Sequence, residues 1–174
     1  MLEEKEVVFI EAHAEDAAGF IEFLNQVNQE SDFLIIDPLD PEQELEQVAD
    51  ILAECLLSND RLCLLAKIDR EIVGLISVMT DRKPRLKHIG DVFMAVSRDY
   101  WNHGIGQILI EEAIIWAKEN HILRRLELTV QAGNSRAVHI YQKFGFKIEG
   151  TKIRGASTED EEFLDVYLMG KLID

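Results

Sequence analysis

The chain has 174 residues and is poor in several features that mark other classes of protein. Its two cysteines, Cys55 and Cys63, stand in apolar stretches, so we expect buried free thiols rather than a disulfide. It has neither a run of about 18 apolar residues nor a Cys/His cluster, and we therefore predict no membrane span and no metal site. The start of the sequence lacks the basic and long apolar segments of a secretion signal, which predicts a cytoplasmic protein.

Basic residues are missing from one long stretch. No Lys or Arg occurs between Lys5 and Arg61, whereas residues 6–60 hold fifteen Asp and Glu. The other 18 acids balance the 18 Lys and Arg, so the whole net charge of −15 resides in the first third. A charge of this sign argues against nucleic acid as a partner. The acidic third has two interpretations, a solvated surface that keeps the protein soluble or a field that attracts a cationic substrate.

The hydrophobic content of 47% suits one compact domain spanning residues 1–174. Residue periodicity and turn signals predict helices and strands in the order βααβββαβαββ. We expect strands at 6–12, 61–68, 71–80, 87–96, 125–131, 146–153 and 163–172, and helices at 13–28, 41–57, 104–119 and 135–144. This order predicts an α/β fold in which a central, mostly antiparallel mixed sheet carries helices on both faces.

The segment 92–106 has the pattern of an anion-binding turn. A strand, Val92–Val96, leads into a turn, and Gly104 and Gly106 then open a helix. Unpaired amides at a helix start bind anions, and glycines allow a phosphate to approach the backbone. No Lys follows the glycines, and Leu109 stands where a dinucleotide loop needs a third glycine, so neither nucleotide motif fits. An ordinary strand–helix turn remains the alternative.

A second segment, 130–146, follows the next predicted strand. Asn134 is placed to cap a helix, and Ala137 and Tyr141 lie four residues apart on one helical face. A tyrosine in this place could donate a proton to a leaving thiolate, although a single tyrosine is more often part of a core.

Together the two segments resemble the GNAT superfamily of N-acetyltransferases. The family's phosphate motif, [Q/R]-x-x-G-x-[G/A], reads Trp101-Asn-His-Gly104-Ile-Gly106 here, and Trp101 departs from its first position. The second pattern, N-x-x-A-x-x-x-Y-x-x-x-G-F, is matched throughout from Asn134 to Phe146. The resemblance is good over about residues 61–170, and the end of the chain is similar to ribosomal-protein and small-amine acetyltransferases. It implies acetyl-CoA as co-substrate, with no metal, and a primary amine of a small molecule or a peptide N-terminus as acceptor.

The resemblance also implies roles for particular residues. The backbone of Met94 and Val96 should pair with the pantetheine arm, and amides near Met94 and Ala95 should polarise the thioester carbonyl. Tyr141 should protonate the departing thiolate after direct attack by the amine. The residues expected to contact the cofactor are Met94, Ala95, Val96, Trp101, Asn102, His103, Gly104, Ile105, Gly106, Gln107, Asn134, Ala137 and Tyr141.

The general base is not defined by the resemblance. Gly90 occupies the position of a glutamate that serves as base in histone-type members. His88 has the same strand parity and is our predicted base, with Asp91 and Glu127 as further candidates. Two other functions stay open, namely a module that senses acetyl-CoA without turnover and an unrelated α/β binding domain. Family members are often dimers, so a homodimer is expected.

Overall fold

The computed structural model describes residues 5–34 and 36–174 and contains seven strands and four α-helices within them. The strands are β1 Val8–Glu11, β2 Leu62–Ile68, β3 Glu71–Thr80, β4 Ile89–Val96, β5 Arg125–Gln131, β6 Lys147–Ser157 and β7 Phe163–Leu172. The helices are α1 Ala17–Glu30, α2 Pro41–Leu57, α3 Ile105–Glu119 and α4 Ser135–Lys143. The predicted fold class and element order are confirmed. The first four residues, which belong to the stretch behind the cytoplasmic prediction, lie outside the described residues.

The strands form one sheet in the order β1-β2-β3-β4-β5-β7-β6. Every neighbouring pair is antiparallel except β4 and β5, which run parallel. These two strands pair over only three rungs, from Ile89↔Arg125 to Asp91↔Glu127. Beyond Asp91 and Glu127 the two strands separate. The gap between them, called the fork below, divides the sheet into two halves.

Two hydrophobic cores lie on opposite faces of the sheet. One packs α3 and α4 against side chains such as Val92, Leu126 and Leu128. The other packs α1 and α2 against β2 and β3, and includes Phe23 and Leu75. Because successive strand residues point to opposite faces, β2, β3 and β4 each contribute to both cores.

Local sequence signals explain the ends of several elements. Asp40 caps α2 by accepting a hydrogen bond from the Glu42 amide at 2.9 Å, and Pro41 fills the first helical position. Asp69 and Arg70, both with positive φ, form the two-residue hairpin between β2 and β3 that the sequence predicts.

Two boundaries differ from the predicted ones by more than two residues. The α-helix α1 begins at Ala17 rather than residue 13, because Ala14–Asp16 form a 3-10 turn in which the Asp16 carboxylate accepts from the His13 amide. Strand β6 extends to Ser157, four residues past its predicted end, and shifts its register between Lys152 and Ala156. Within the described residues, none of the helices is long and apolar enough to cross a membrane.

Candidate active site

A cleft of about 460 Å³ occupies the fork between β4 and β5. Its walls come from β4, the turn after β4 and the start of α3, the end of β5, α4, and the end of α1 with the connection that follows it. Since the fork exists only where two parallel strands stop pairing, the sheet topology itself creates the cleft. Ligands in open α/β sheets bind at such interruptions of strand pairing.

The backbone of β4 is open toward this cleft. The Ser97 amide donates to the Val73 carbonyl on β3 at 2.9 Å, and in an antiparallel pair such bonds recur at every second residue. The backbone groups of Met94 and Val96 therefore face the fork, while those of Ala95 face β3. The Val96 carbonyl accepts from the Trp101 indole at 2.8 Å. Met94 consequently offers the free backbone edge on which an extended pantetheine arm could align, and the amide of Ala95 is engaged in the sheet.

The turn after β4 prepares an anion site. Gly104 caps α3 in the left-handed conformation, with φ of 81°. The first bond into the helix runs from the Ile108 amide to the Gly104 carbonyl at 3.1 Å, so the amides of Ile105, Gly106 and Gln107 have no helical acceptor. A Cβ added at Gly104 would meet nothing within 4 Å. The space beside these amides is therefore open to a ligand's phosphate groups, and the residues fit the pyrophosphate that the sequence predicts there.

Helix α4 forms the opposite wall. The Asn134 side chain caps this helix by accepting from the Ala137 amide at 3.3 Å. Tyr141 is 6% exposed and its ring meets Phe146 edge-on at a centroid distance of 5.7 Å. Burial raises the pKa of the Tyr141 phenol well above its usual range. The phenol therefore stays protonated at physiological pH and can act as a proton donor.

Most of the cofactor-binding residues predicted from the sequence line the cleft. The predicted cofactor residues that line it are Met94, Ala95, Val96, Trp101, Asn102, Gly104, Ile105, Gly106, Gln107, Asn134, Ala137 and Tyr141. His103 is exposed and is absent from the lining. Their contacts with a cofactor stay predictions, but these residues do share one cavity.

His88, the predicted base, does not line the cleft. It lies in the turn before β4, where its carbonyl accepts from the amides of Arg124 and Arg125 at 2.8 and 3.1 Å. These bonds fasten the closed end of the β4–β5 pair, away from the fork. Strand parity favours His88 as a base, but parity does not state how far along the strand the fork begins.

Gly90 could not carry the glutamate found in histone-type relatives without rearrangement. A Cβ at Gly90 would lie 2.6 Å from Val78 Cγ1 and 3.0 Å from Leu126 Cδ2. Asp91, the next residue, pairs with Glu127 at the last rung before the fork. Desolvation, with the charge of Glu127, raises the pKa of Asp91. Two carboxylates thus stand on one face of the sheet where the strands begin to separate.

The acidic first third contributes little charge to the cleft. Of its carboxylates in the described residues, Glu30 alone lines the cavity, beside Val27, Phe33 and Leu34. Glu30 accepts from the Arg98 amide, and Gln131 on β5 donates to the Asp32 carbonyl. Sequence reasoning did not identify these residues, because the contacts join parts of the chain 68 and 99 residues apart.

Arg136 is another cleft residue that the sequence motifs did not identify. It lines the cleft, and its guanidinium carbon lies 3.6 Å from the centroid of the Trp101 ring. Its place between Asn134 and Ala137 in the second motif could have drawn attention to it. In the part of the chain that the structure describes, no group of three or more His, Cys, Asp or Glu is arranged to hold a metal ion.

Comparisons with known proteins agree with this arrangement. The sequence profile of the Acetyltransferase (GNAT) family matches residues 21–146. The L-amino acid N-acetyltransferase of Escherichia coli K12 is 33% identical over 109 residues, which are 63% of this chain and 67% of that protein.

Solved structures are similar over nearly the whole chain. A GNAT-family acetyltransferase from Streptococcus pneumoniae is 45% identical with a TM-score of 0.91, covering 97% of this chain and 100% of that one. A protein from Salmonella typhimurium, solved with its cofactor acetyl-CoA, shares the fold at 15% identity with a TM-score of 0.82, over 97% of this chain and 95% of that one. The profile match, the fork cleft and the two motifs together show that the chain belongs to the acetyltransferase (GNAT) family and is an N-acetyltransferase.

Proposed function

We propose that this N-acetyltransferase transfers the acetyl group of acetyl-CoA to the primary amine of a small cationic molecule or of a peptide N-terminus, by direct attack. The observation that carries the proposal is the cleft at the β4–β5 fork. One wall offers the open backbone at Met94 and the free amides that begin α3, and the other offers the buried phenol of Tyr141. An extended arm, a pyrophosphate and a leaving thiolate need these three kinds of group in one cavity.

The residues of the chain divide the chemistry as follows. Acetyl-CoA, when bound, supplies a thioester whose carbonyl carbon an amine can attack, with cleavage of the carbon–sulfur bond and release of CoA thiol. The amides of Ile105, Gly106 and Gln107 would hold the pyrophosphate. The Tyr141 hydroxyl, which lines the cleft and is protonated at neutral pH, would give its proton to the departing sulfur.

We propose that Asp91, with Glu127, takes up the proton released from the attacking amine, through a water molecule. The pair stands at the last rung before the fork, whereas His88 lies in the turn before the strand. A carboxylate with a raised pKa is a stronger base than an ordinary one. None of these three residues lines the cleft, but Asp91 directly precedes Val92, which does, whereas His88 is four residues before it.

The acceptor side of the cleft is mixed in character. Val27, Phe33 and Leu34 give it an apolar surface, and Glu30 gives it one carboxylate. An amine with an apolar or extended body would suit this wall, and the net negative charge of the first third of the chain would raise the local concentration of a cation. The Escherichia coli relative is named for acetylating L-amino acids, which also present a primary amine.

The test is an acceptor screen with acetyl-CoA in which release of free thiol is measured against matched cationic and neutral amines. A polyamine, an amino acid and a short basic peptide represent the proposed acceptors, and their neutral analogues serve as controls. Thiol release with at least one primary amine is expected. Thermal stabilisation by acetyl-CoA without turnover of any amine would favour the alternative, an acetyl-CoA-binding regulatory module. Stabilisation by ATP or NAD instead would contradict both.

Two further expectations stay predictions. We propose a cytoplasmic protein that forms a homodimer. Light scattering at several protein concentrations measures the oligomeric state, and a monomer at micromolar concentration would contradict the second expectation.

A further inference from the structure

One cation stands out in the cleft. Among the described residues that line it, Arg136 is the single Lys or Arg side chain. It lies in the first turn of α4, and its guanidinium stacks on the indole of Trp101 from the opposite wall. The indole is itself fixed, because its N–H donates to the Val96 carbonyl at 2.8 Å. The guanidinium is thus held in place by a ring that is anchored to β4.

Arg136 has no carboxylate partner. No Asp or Glu of the described ranges, 5–34 and 36–174, forms a salt bridge with it, although Arg61, Arg82 and Arg125 each have such partners. Desolvation lowers the pKa of Arg136, yet a guanidinium remains charged at neutral pH. A partly buried guanidinium that has no carboxylate partner among the described residues keeps its N–H donors available for an anionic ligand.

We propose that Arg136 binds a phosphate group of CoA and that Trp101 is the positioning residue that holds its guanidinium toward that phosphate. The proposal rests on the proposed function and assigns one cationic partner to the ligand's phosphates. A planar guanidinium stacked on an aromatic face keeps its N–H edge free for a phosphate.

Helix α4 approaches the turn before α3 and the start of that helix at two points. Trp101 precedes Gly104 by three residues in the same turn. One helical turn after Arg136, Ile140 approaches Gly106, since a Cβ there would lie 3.8 Å from Ile140 Cδ1. Arg136 and Ile140, four residues apart on one face of α4, therefore both lie against the segment 101–106.

The stacking of Arg136 on Trp101 also explains why residue 101 can differ from the family's phosphate motif. The family motif has Gln or Arg there, and this chain has Trp. A cation contributed by α4 stands on that tryptophan instead. The polar side chain that the motif has at position 101 is thus replaced by a guanidinium from the opposite wall of the cleft.

Binding of CoA and of 3′-dephospho-CoA to wild type and Arg136→Gln, measured by calorimetry, tests the proposal. Loss of one charge-assisted hydrogen bond should weaken CoA binding about 10- to 100-fold. If the partner is the pyrophosphate, the same loss appears with dephospho-CoA. If it is the 3′-phosphate, the loss appears with CoA only.

The controls separate charge from shape. Arg98→Gln removes the other guanidinium near Trp101, whose carbon is 5.7 Å from the ring centroid and which does not line the cleft, and it should leave Kd within about twofold. Arg136→Lys should recover part of the lost affinity. The proposal is overturned if Arg136→Gln binds both ligands as wild type does, or if Arg98→Gln weakens CoA binding equally.

Variants of Trp101 test the positioning role. Trp101→Phe keeps an aromatic face and should bind CoA more tightly than Trp101→Ala, which we expect to lose about 3- to 10-fold. In an Arg136→Gln background, the difference between Phe and Ala at position 101 should vanish, because no guanidinium remains to be held. An undiminished difference would show that Trp101 acts on its own.

The outcomes also distinguish this inference from the proposed function. If wild type neither binds acetyl-CoA nor releases thiol with any amine, the proposed function fails. If wild type does both and Arg136→Gln matches it, the inference alone fails.

Discussion

The surface of the cleft divides into a cofactor wall, which includes both the start of α3 and the facing helix α4, and an acceptor wall, and these two differ in how they are built. The cofactor wall consists of two short segments, 94–107 and 134–141, in which backbone amides and a few side chains are positioned by a strand end and two helix starts. The acceptor wall is assembled from the end of α1 and the connection after it, and is held by the contacts of Glu30 with Arg98 and of Gln131 with Asp32. A site made of backbone leaves a compact sequence motif. A site made of side chains brought together from distant segments does not.

This difference predicts how each wall responds to mutation. Changes on the cofactor wall should act on proton transfer or on acetyl-CoA affinity for every acceptor. Changes on the acceptor wall should be smaller and should depend on the amine, because no single side chain there dominates.

Tyr141→Phe should have the largest effect. Removal of the proton donor is expected to lower kcat about 100- to 1000-fold, while Kd for acetyl-CoA stays within twofold, because the ring and its edge-on contact with Phe146 remain. Steady-state kinetics measures kcat, and calorimetry measures Kd for acetyl-CoA. Tyr167→Phe, on β7 and outside the lining, is the matched control. Full turnover by Tyr141→Phe would assign the acid role to water or to another group.

Gly104→Val should weaken acetyl-CoA binding about 10- to 100-fold. Gly104 has φ of 81°, and a β-branched residue there costs about 1–3 kcal/mol or displaces the amides that begin α3. Gly145→Val is the matched control, since Gly145 also has positive φ, 94°, but does not line the cleft.

Both glycine variants should melt at lower temperature than wild type, and only Gly104→Val should lose affinity for acetyl-CoA. Calorimetry at a temperature where both are folded makes the comparison. Equal affinities would mean that the amides of this turn do not hold the ligand.

Asp91→Asn should lower kcat/KM about tenfold at neutral pH. If Asp91 is the base, activity falls as pH drops through its pKa, which desolvation and the charge of Glu127 raise. Glu127→Gln removes that neighbouring charge and should move the acid limb of the pH–rate profile to lower pH. His88→Gln, assayed in parallel, decides between the two candidate bases. A tenfold loss in His88→Gln with none in Asp91→Asn would restore the histidine.

The fold could be predicted from the sequence because its signals are local. Asp40-Pro41, Asp69-Arg70 and Asn134 each define an element boundary with contacts no more than four residues away. The boundary of α1 was placed wrongly for a physical reason of the same kind, since His13–Asp16 form their own hydrogen-bonded turn before the α-helix begins.

The site could be predicted only where it coincides with such local signals. The fork begins after Asp91↔Glu127, and no property of either strand alone states where two parallel strands stop pairing. Whether His88 can reach the cleft depends on where the β4–β5 pairing ends, which the sequence does not indicate. The stacking of Arg136 on Trp101 likewise joins side chains 35 positions apart, whose proximity follows from the fork.

Glu30→Gln should have the smallest effect and is the direct test of the acidic field. Glu30 is the one carboxylate of the first third that lines the cleft within the described residues, and it is already bonded to the Arg98 amide. We expect KM for a cationic amine to rise about threefold, with less change for a neutral analogue, because a partly exposed charge in the presence of salt contributes little. The KM ratio of the two amines, measured at low and high ionic strength, isolates the electrostatic part. An unchanged ratio at both salt concentrations would mean that the acidity of the first third serves solubility, and that acceptor choice depends on the apolar side chains Val27, Phe33 and Leu34.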